Sequence, residues 1–343
     1  MANPLAAFIA FVFTLSSFLT VCALPSPQAT HLPARLVTQF PSLAWLENIA
    51  TRPNGDLLIT ELTPQPILYT IINPSSSSPV VQVIHDFSAN STQSLLGITE
   101  TAPDVFVLIA GTGSIGPFTL WKVDFKTKSG PRVQEITQLP GAKLPNGVAN
   151  LPGCSERVLV ADSFGGLVWS VDIATKQVQV AVQVPEMAPP PPSNNATGRT
   201  PVGANGIKVH DGHLYWSNSA LSTVYRIKIN SDGTVRNKAK VEVVAKFDVS
   251  FVDDFVIDHR GVLFAMASAD NQVWATSANP GGINLPVVGD KNSSTVAGGT
   301  AGSMGRLKDD QHVLYVVTSG AGADGTVAEG GKCVAVDTRG LKI

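Results

Sequence analysis

Four side chains that carry oxygen atoms recur at one position of a repeated pattern: Glu47, Asn146, Asn205 and Asp253. Each opens a short apolar run, which is followed by a turn and a second apolar run. Carboxylate and amide oxygens are the ligands that Ca²⁺ and similar hard divalent cations prefer, and amides also donate hydrogen bonds. If the fold brings these residues together, they can bind a divalent cation or polarise a substrate carbonyl. The alternative is that the Asn and Asp residues only form turns.

The pattern that carries these residues occurs six times. Its copies begin at Glu47, Leu96, Asn146, Asn205, Asp253 and Gly302, at intervals of 49, 50, 59, 48 and 49 residues. A period of about 40–50 residues with several strands in each unit is typical of a β-propeller. Further strand-like runs follow each pair, and helical periodicity is absent. We therefore predict an all-β fold, a six-bladed β-propeller with four antiparallel strands in each blade.

The propeller must position the six starts at one place. The first strand of each blade lines the central channel, so the first residues of the six copies should converge on the axis at one end. An open ring would leave a sheet edge exposed, and the N-terminal run 35–38 is predicted to close it by pairing with 333–336 in the last blade. Residues 24–343 are expected to form this single domain.

The N-terminal 23 residues look like a secretory signal peptide. Residues 5–21 form an uncharged apolar run shorter than the about 20 residues of a spanning helix, and Val21-Cys22-Ala23 is a small-x-small cleavage site. A membrane anchor is the alternative. The signal predicts a protein of the secretory pathway, secreted or lumenal. Glycosylation sequons at Asn90, Asn195 and Asn292 agree with this route.

The charge and cysteine content exclude several classes of partner. Charged residues make up 15% of the chain and the net charge is −2, so neither nucleic acid nor an acidic membrane surface is an expected partner. Small apolar metabolites are the expected ligands, and the protein is expected to be a monomer or homodimer. Cys154 and Cys333 fall in opposite blades, too far apart for a disulfide, and are predicted to be free thiols. The sequence contains no serine-hydrolase elbow, zinc-protease helix or phosphate loop.

Apolar side chains near the strand starts are candidates for the wall of a substrate pocket. They are Trp45, Leu96, Trp216, Phe255 and Met304. An aromatic residue among strands is equally often part of the core. The segment 187–195 contains four consecutive prolines, which exclude a regular strand, and it is expected at the same end of the ring as the strand starts, where it can exclude water.

The segments around the polar positions resemble the metal-site segments of the senescence-marker-protein, gluconolactonase and strictosidine-synthase-like family. The resemblance rests on Glu47, 145–147, 204–207, 215–218 and 252–258. Members of that family are six-bladed propellers that bind one divalent cation through a Glu, an Asn and an Asp. The resemblance implies Glu47, Asn205 and Asp253 as ligands, with Asn146 beside the substrate. In lactonase members the metal polarises the ester carbonyl and the aspartate acts as a general base.

Two departures from the family pattern point to one branch of it. Asn48-Ile49 replaces the usual Gly-Pro after the first ligand, and Asp254-Phe255 replaces a glycine and a small apolar residue after the last. This variant is similar to a secreted fungal branch that includes the hetero-Diels-Alderases of tropolone–sesquiterpenoid pathways. Those enzymes join a tropolone quinone methide to a humulene-type macrocycle.

The resemblance to this branch implies a secondary-metabolite cyclase that needs no cofactor for the cyclisation. The predicted catalytic residues are Asn146, Asn205, Asn218 and Asp253, and the apolar Leu96 and Gly302 at two of the six starts favour an apolar substrate over a sugar lactone. Two other functions stay open. One is a lactonase or esterase that depends on Ca²⁺ or another divalent cation at the axis, and the other is a non-catalytic binder of an apolar metabolite.

Overall fold

The computed structural model describes residues 31–112, 116–191, 201–322 and 326–343. The predicted signal peptide and the Asn195 sequon lie outside these residues. Strands dominate the described ranges, and the helical elements there are single 3₁₀ turns, at Ser88–Asn90, Pro185–Met187, Ser219–Leu221 and Ser268–Asp270. No helix within those ranges has the length and apolar character to cross a membrane.

The strands group into six consecutive sets. The first twelve are β1 (Ala34–Gln39), β2 (Trp45–Thr51), β3 (Leu57–Thr63), β4 (Ile67–Ile72), β5 (Val80–Asp86), β6 (Ser94–Ala102), β7 (Val105–Gly111), β8 (Phe118–Asp124), β9 (Arg132–Gln138), β10 (Pro145–Leu151), β11 (Cys154–Asp162) and β12 (Leu167–Asp172). The remaining strands are β13 (Val178–Val182), β14 (Ala204–His210), β15 (His213–Asn218), β16 (Thr223–Lys228), β17 (Glu242–Lys246), β18 (Phe255–Ile257), β19 (Val262–Ala267), β20 (Gln272–Ser277), β21 (Leu285–Gly289), β22 (Gly299–Met304), β23 (Val313–Thr318) and β24 (Lys332–Asp337).

Each set is a four-stranded antiparallel blade. Blades one to five are β2–β5, β6–β9, β10–β13, β14–β17 and β18–β21, and blade six has the order β22-β23-β24-β1. The first strand of each of these blades contacts the first strand of the next one, from β2 through β6, β10, β14, β18 and β22 back to β2. These contacts close a ring, and the predicted six-bladed β-propeller is confirmed.

Blade six contains both ends of the described chain. β1 pairs antiparallel with β24, with Leu36 opposite Val334 and Thr38 opposite Cys333. The predicted closure by the N-terminal run is therefore confirmed. The pairing covers the edge that β24 would otherwise expose.

The first hairpins of the blades form where the sequence places turn residues. Between β14 and β15, Asp211 and Gly212 both have positive φ, 45° and 70°, and His210 lies opposite His213. This backbone matches the twist of a two-residue hairpin, which explains the Asp-Gly pair. The alternating apolar side chains of the strands then pack between blades, for example Met266 of blade five near Leu314 of blade six. Cys333 is buried and Cys154 half-buried, and both are free, as predicted.

Hydroxyl groups fasten the inner strand of one blade to the second strand of the blade before it. Thr60 Oγ1 donates to the Leu96 carbonyl at 2.7 Å, and Ser217 Oγ donates to the Asp253 carbonyl at 2.6 Å. Ser163, directly after the second strand of blade three, donates from its Oγ to the Ala204 carbonyl of blade four at 2.8 Å. These buried bonds fix the starts of the inner strands, where the polar residues of the repeat lie.

Candidate active site at the propeller axis

Glu47 lies on β2 at the axis and is almost fully buried. Its Oε2 accepts a hydrogen bond from Trp45 Nε1 at 2.8 Å. Burial raises the pKa of Glu47 to about 7. The Trp45 bond opposes this shift and the negative charge of Asp254 adds to it.

Asn205 and Asp253 meet at the same place. Asn205 Nδ2 donates to Asp253 Oδ1 at 2.7 Å and to Ser219 Oγ at 3.0 Å. Burial raises the pKa of Asp253 well above its ordinary value, and the charges of Glu47 and Asp254 act in the same direction. The structure therefore brings together the three residues that the resemblance implies as cation ligands.

Directly beside them lies an ion pair that sequence reasoning missed. Lys208 Nζ donates to both carboxylate oxygens of Asp254, at 2.7 and 2.9 Å, and Asn48 Nδ2 donates to Oδ2 at 3.2 Å. A Cβ on Gly206 would lie 2.0 Å from Asp254 Oδ1, so this side chain requires a glycine on the neighbouring strand. The sequence signals for this pair are a lysine between Ile207 and Val209 on the inner strand and the second acid after Asp253.

Asn146 is half-buried at the start of β10, between blades two and four. Its side-chain amide makes no hydrogen bond with any other described residue, whereas Asn205 is fully engaged through its Nδ2. Gly97 and Gly147 allow neighbouring inner strands to approach closely here. A Cβ on Gly97 would lie 2.4 Å from the Asn146 carbonyl oxygen, and a Cβ on Gly147 would lie 2.4 Å from the Asn205 carbonyl oxygen. Between Asn146 and Asn205, Asn146 is therefore the amide whose Nδ2 is free to donate a hydrogen bond.

The sixth position of the polar ring is Thr300 and not Gly302. Gly299 pairs with Thr318 as Ala204 pairs with Asn218, which places Thr300 level with Asn205. The Asp254 N–H donates to the Thr300 carbonyl at 3.0 Å. The prediction that Gly302 closes the arc is wrong, because this residue lies two positions further along β22.

Four of the five predicted pocket residues pack the blades together and do not line the mouth. Leu96, Trp216 and Phe255 are 4%, 0% and 0% exposed and belong to the apolar clusters between neighbouring blades. Met304 packs against the cluster between blades five and six. The physical reason is that the two faces of each blade pack against the adjacent blades, so side chains on the faces of its strands are buried between blades. Trp45 is half-buried, as Met304 is, but it belongs to none of these apolar clusters and contacts Glu47 at the axis.

Asn218 has a different role from the predicted catalytic one. It is fully buried, and its Nδ2 donates to the carbonyls of Glu186 at 3.1 Å and Ala188 at 2.9 Å. Its Oδ1 accepts from Leu221 N at 3.3 Å. Every function of the amide is therefore used by the main chain, which contradicts direct contact with a substrate.

The donor set at the axis fits a hard divalent cation. Neither Glu47 nor Asp253 has an ion-pair partner among the described residues, and each accepts a single bond from a neutral donor. The part of the chain that the structure describes contains no group of three His, Cys, Asp or Glu side chains arranged for a metal ion. Beside the carboxylates of Glu47 and Asp253, the third ligand would therefore be an amide oxygen, Asn205 Oδ1. A bound cation would supply Lewis-acid polarisation of a carbonyl oxygen.

Sequence comparison finds two curated relatives of nearly the same length. A "Putative hetero-Diels-Alderase" of Phoma sp is 29% identical, with 90% of this chain and 93% of the relative covered. The "Putative hetero-Diels-Alderase asR5" of Sarocladium schorii is also 29% identical, with 86% and 79% covered. The predicted resemblance is confirmed. No family model matches the chain.

Solved structures show the same fold at low sequence identity. A luciferin-regenerating enzyme has a TM-score of 0.63 at 13% identity, covering 91% of this chain and 97% of the other. The calcium-binding protein regucalcin of Agrobacterium tumefaciens has a TM-score of 0.57 at 14% identity, covering 90% and 96%. The likeness shows that this chain shares the propeller fold of these two proteins.

Proposed function

We propose that this chain is an enzyme, a secondary-metabolite cyclase of the hetero-Diels-Alderase type. The observation that carries the proposal is the likeness to a chain of that name over 90% of the present one. The substrates proposed are a tropolone-type quinone methide and a humulene-type sesquiterpene. The axial site is the proposed reaction site because it combines buried polar groups with the partly exposed Trp45.

The proposed reaction asks for orientation and polarisation more than for proton transfer. The O=C–C=CH₂ unit of the quinone methide adds across one alkene of the macrocycle, forming one C–O bond and one C–C bond as three π bonds become one. No group leaves and no electron is lost. A protein accelerates such a step by holding both partners in a reactive pose and by donating a hydrogen bond to the quinone methide oxygen.

Asn146 is the proposed donor to that oxygen. Its amide is half-buried at the axis and makes no hydrogen bond with another described residue. Asn205 is less suitable, because its Nδ2 is held by Asp253 at 2.7 Å and Ser219 at 3.0 Å. Removing one preorganised donor from an oxyanion site typically costs about 10²–10³-fold in rate, and a neutral oxygen with partial charge should lose less.

The experiment generates the quinone methide from a tropolone carbinol in the presence of a humulene-type alcohol, with and without protein. We expect one stereoisomer of the adduct with the native protein and a mixture with heat-denatured protein. Asn146→Ala should lower kcat/KM by about 10–100-fold. Asn150→Ala is the matched control, since Asn150 is an exposed amide on the same strand at the other end of the channel. Equal product mixtures with and without protein would refute the proposal.

A divalent-cation-dependent lactonase is the second candidate, and the donor set of Glu47, Asn205 and Asp253 favours it. This function predicts that a chelator abolishes ester hydrolysis and that Asp253→Asn is almost inactive. Lactone hydrolysis restored by Ca²⁺, without any protein-dependent adduct, would replace the first proposal by the second. Ligand binding without either reaction would indicate a carrier.

A further inference from the structure

The segment 185–191, which leads from blade three into the proline run, is fastened to blade four through its carbonyl groups. It begins with the 3₁₀ turn Pro185–Met187, and Met187 is fully buried. The Glu186 carbonyl accepts from Trp216 Nε1 at 3.2 Å and from Asn218 Nδ2 at 3.1 Å. Asn218 Nδ2 also donates to the Ala188 carbonyl at 2.9 Å.

Two glycines show how closely this segment is held. A Cβ on Gly203 would lie 2.4 Å from the Met187 carbonyl oxygen and 2.6 Å from Pro189 N. A Cβ on Gly166 would lie 2.8 Å from Ala188 Cα. The segment is therefore wedged between blades three and four, with no room for a larger residue on either side.

The residue after Asn218 reaches the axis. Ser219 Oγ accepts from Asn205 Nδ2 at 3.0 Å, and the same Nδ2 donates to Asp253 at 2.7 Å. Asn218 and Ser219 are both fully buried. The 3₁₀ turn Ser219–Leu221 and its cap Asn218 therefore contact both places. The Asn218 side chain binds the segment 185–191, and the Ser219 side chain binds the amide of Asn205.

We propose that Asn218 is a positioning residue that couples the segment 185–191 to the axial site and sets which partner the site accepts. This role rests on the proposed cyclase function. The segment enters the ring at the end where Asn205 and Asp253 lie, so its placement limits the space for the larger, macrocyclic substrate. The small substrate needs less of that space and should be affected less.

The test uses variants that separate the two bonds of the turn. Asn218→Asp keeps the acceptor for Leu221 N and replaces the donor to Glu186 and Ala188 by a repelling oxygen, and Asn218→Ala removes both without adding charge. Ser219→Ala cuts the axial link alone. Asn271→Ala is the matched control, because Asn271 fastens the connection after blade five in the same way, donating to the Lys291 carbonyl at 3.2 Å and accepting from Gly298 N at 2.9 Å.

The first readout, hydrogen–deuterium exchange, does not depend on activity. Residues 186–188 carry the backbone N–H groups of this segment, since 185 and 189–191 are prolines. Asn218→Asp and Asn218→Ala should accelerate exchange of these amides by about tenfold or more, the effect of losing one to two hydrogen bonds, while Asn271→Ala should accelerate exchange only in 290–298. Unchanged exchange in 185–191 in both Asn218 variants would overturn the coupling, whatever the reaction proves to be.

The second readout is the steady-state kinetics of adduct formation. The Asn218 variants should raise KM for the macrocycle at least fivefold, with KM for the carbinol nearly unchanged, and should alter the stereoisomer ratio. Asn271→Ala should change neither. Equal kinetic effects of the Asn218 and Asn271 variants would overturn the positioning role. A native protein that forms no adduct would refute the proposed function, and the exchange data would still decide the coupling.

Discussion

Replacing Glu61 by glutamine should make the stability of the propeller less sensitive to rising pH. Glu61 lies on β3, is 3% exposed, and accepts a hydrogen bond from Tyr69 Oη at 2.9 Å through its Oε2. Burial raises the pKa of Glu61 to about 7, against an ordinary value of 4.5, and the Tyr69 bond opposes the shift. The buried carboxyl therefore has a pH-dependent effect that glutamine, which is never charged, lacks.

The sign and size of the effect follow from this shift. Between pH 4.5 and 7 the folded state binds more protons at Glu61 than the unfolded state, so stability falls as the pH rises. The contribution is intact below pH 4.5 and is lost once the pH has passed about 7. A shift of this size corresponds to about 3 kcal/mol of unfolding free energy. The pH-independent cost of burying an amide cancels when differences between pH values are compared.

The assay is urea denaturation followed by tryptophan fluorescence, at pH values from about 4 to 8. The unfolding free energy of Glu61→Gln minus that of the native protein should increase by about 3 kcal/mol across this range. Tyr69→Phe should shift the loss of stability to higher pH. The hydroxyl that this variant removes favours the charged carboxylate, so its loss raises the pKa of Glu61 further. If the curves of Glu61→Gln and the native protein run parallel from pH 4.5 to 8, burial does not control this carboxyl and the reasoning fails.

Two further predictions concern the axis. Lys208→Met should lower the unfolding free energy, measured by urea denaturation, by about 2–3 kcal/mol. This is less than the loss of a fully buried ion pair, because 28% of the lysine side chain is exposed. Adding Asp254→Asn should restore most of the lost stability. No recovery in the double variant would contradict the role of the unpaired charge. Ca²⁺ at about 1–10 mM should raise the Tm of the native protein and not that of Glu47→Gln or Asp253→Asn, since binding to the folded state stabilises it. An unchanged Tm of the native protein would contradict the cation fit.

The architecture was predictable because it depends on patterns that are local in sequence. Strand alternation, turn pairs such as Asp211-Gly212 and the period of the repeat together specify six blades. The error at Gly302 also has a local cause. In blade six a longer connection, 305–312, separates β22 from β23, so counting back from the second strand puts the first residue of the pattern two positions too far along the chain.

The parts of the site that could not be predicted depend on contacts between blades. Lys208 and Asp254 are 46 residues apart, and nothing in either segment alone shows that they pair. The alternation of apolar and polar residues around Trp216 would be the same if the side chain faced a pocket or the next blade. Only its burial in the folded protein shows that it packs against the next blade. The sequence predicts Asn218 as a catalytic amide, but its partners lie in the irregular segment 185–191, for which no periodic pattern exists.

The pairing of β1 with β24 has a consequence for synthesis of the protein. Gln39 of β1 lies opposite Lys332 of β24, so nearly 300 further residues must be synthesised before β1 can pair with β24. At about 5–20 residues per second, this wait lasts roughly 15–60 s. During that time β1 is an unpaired strand with Leu36 exposed on it, open to pairing with other chains. The contact that closes the ring can therefore form only when the last blade has been made.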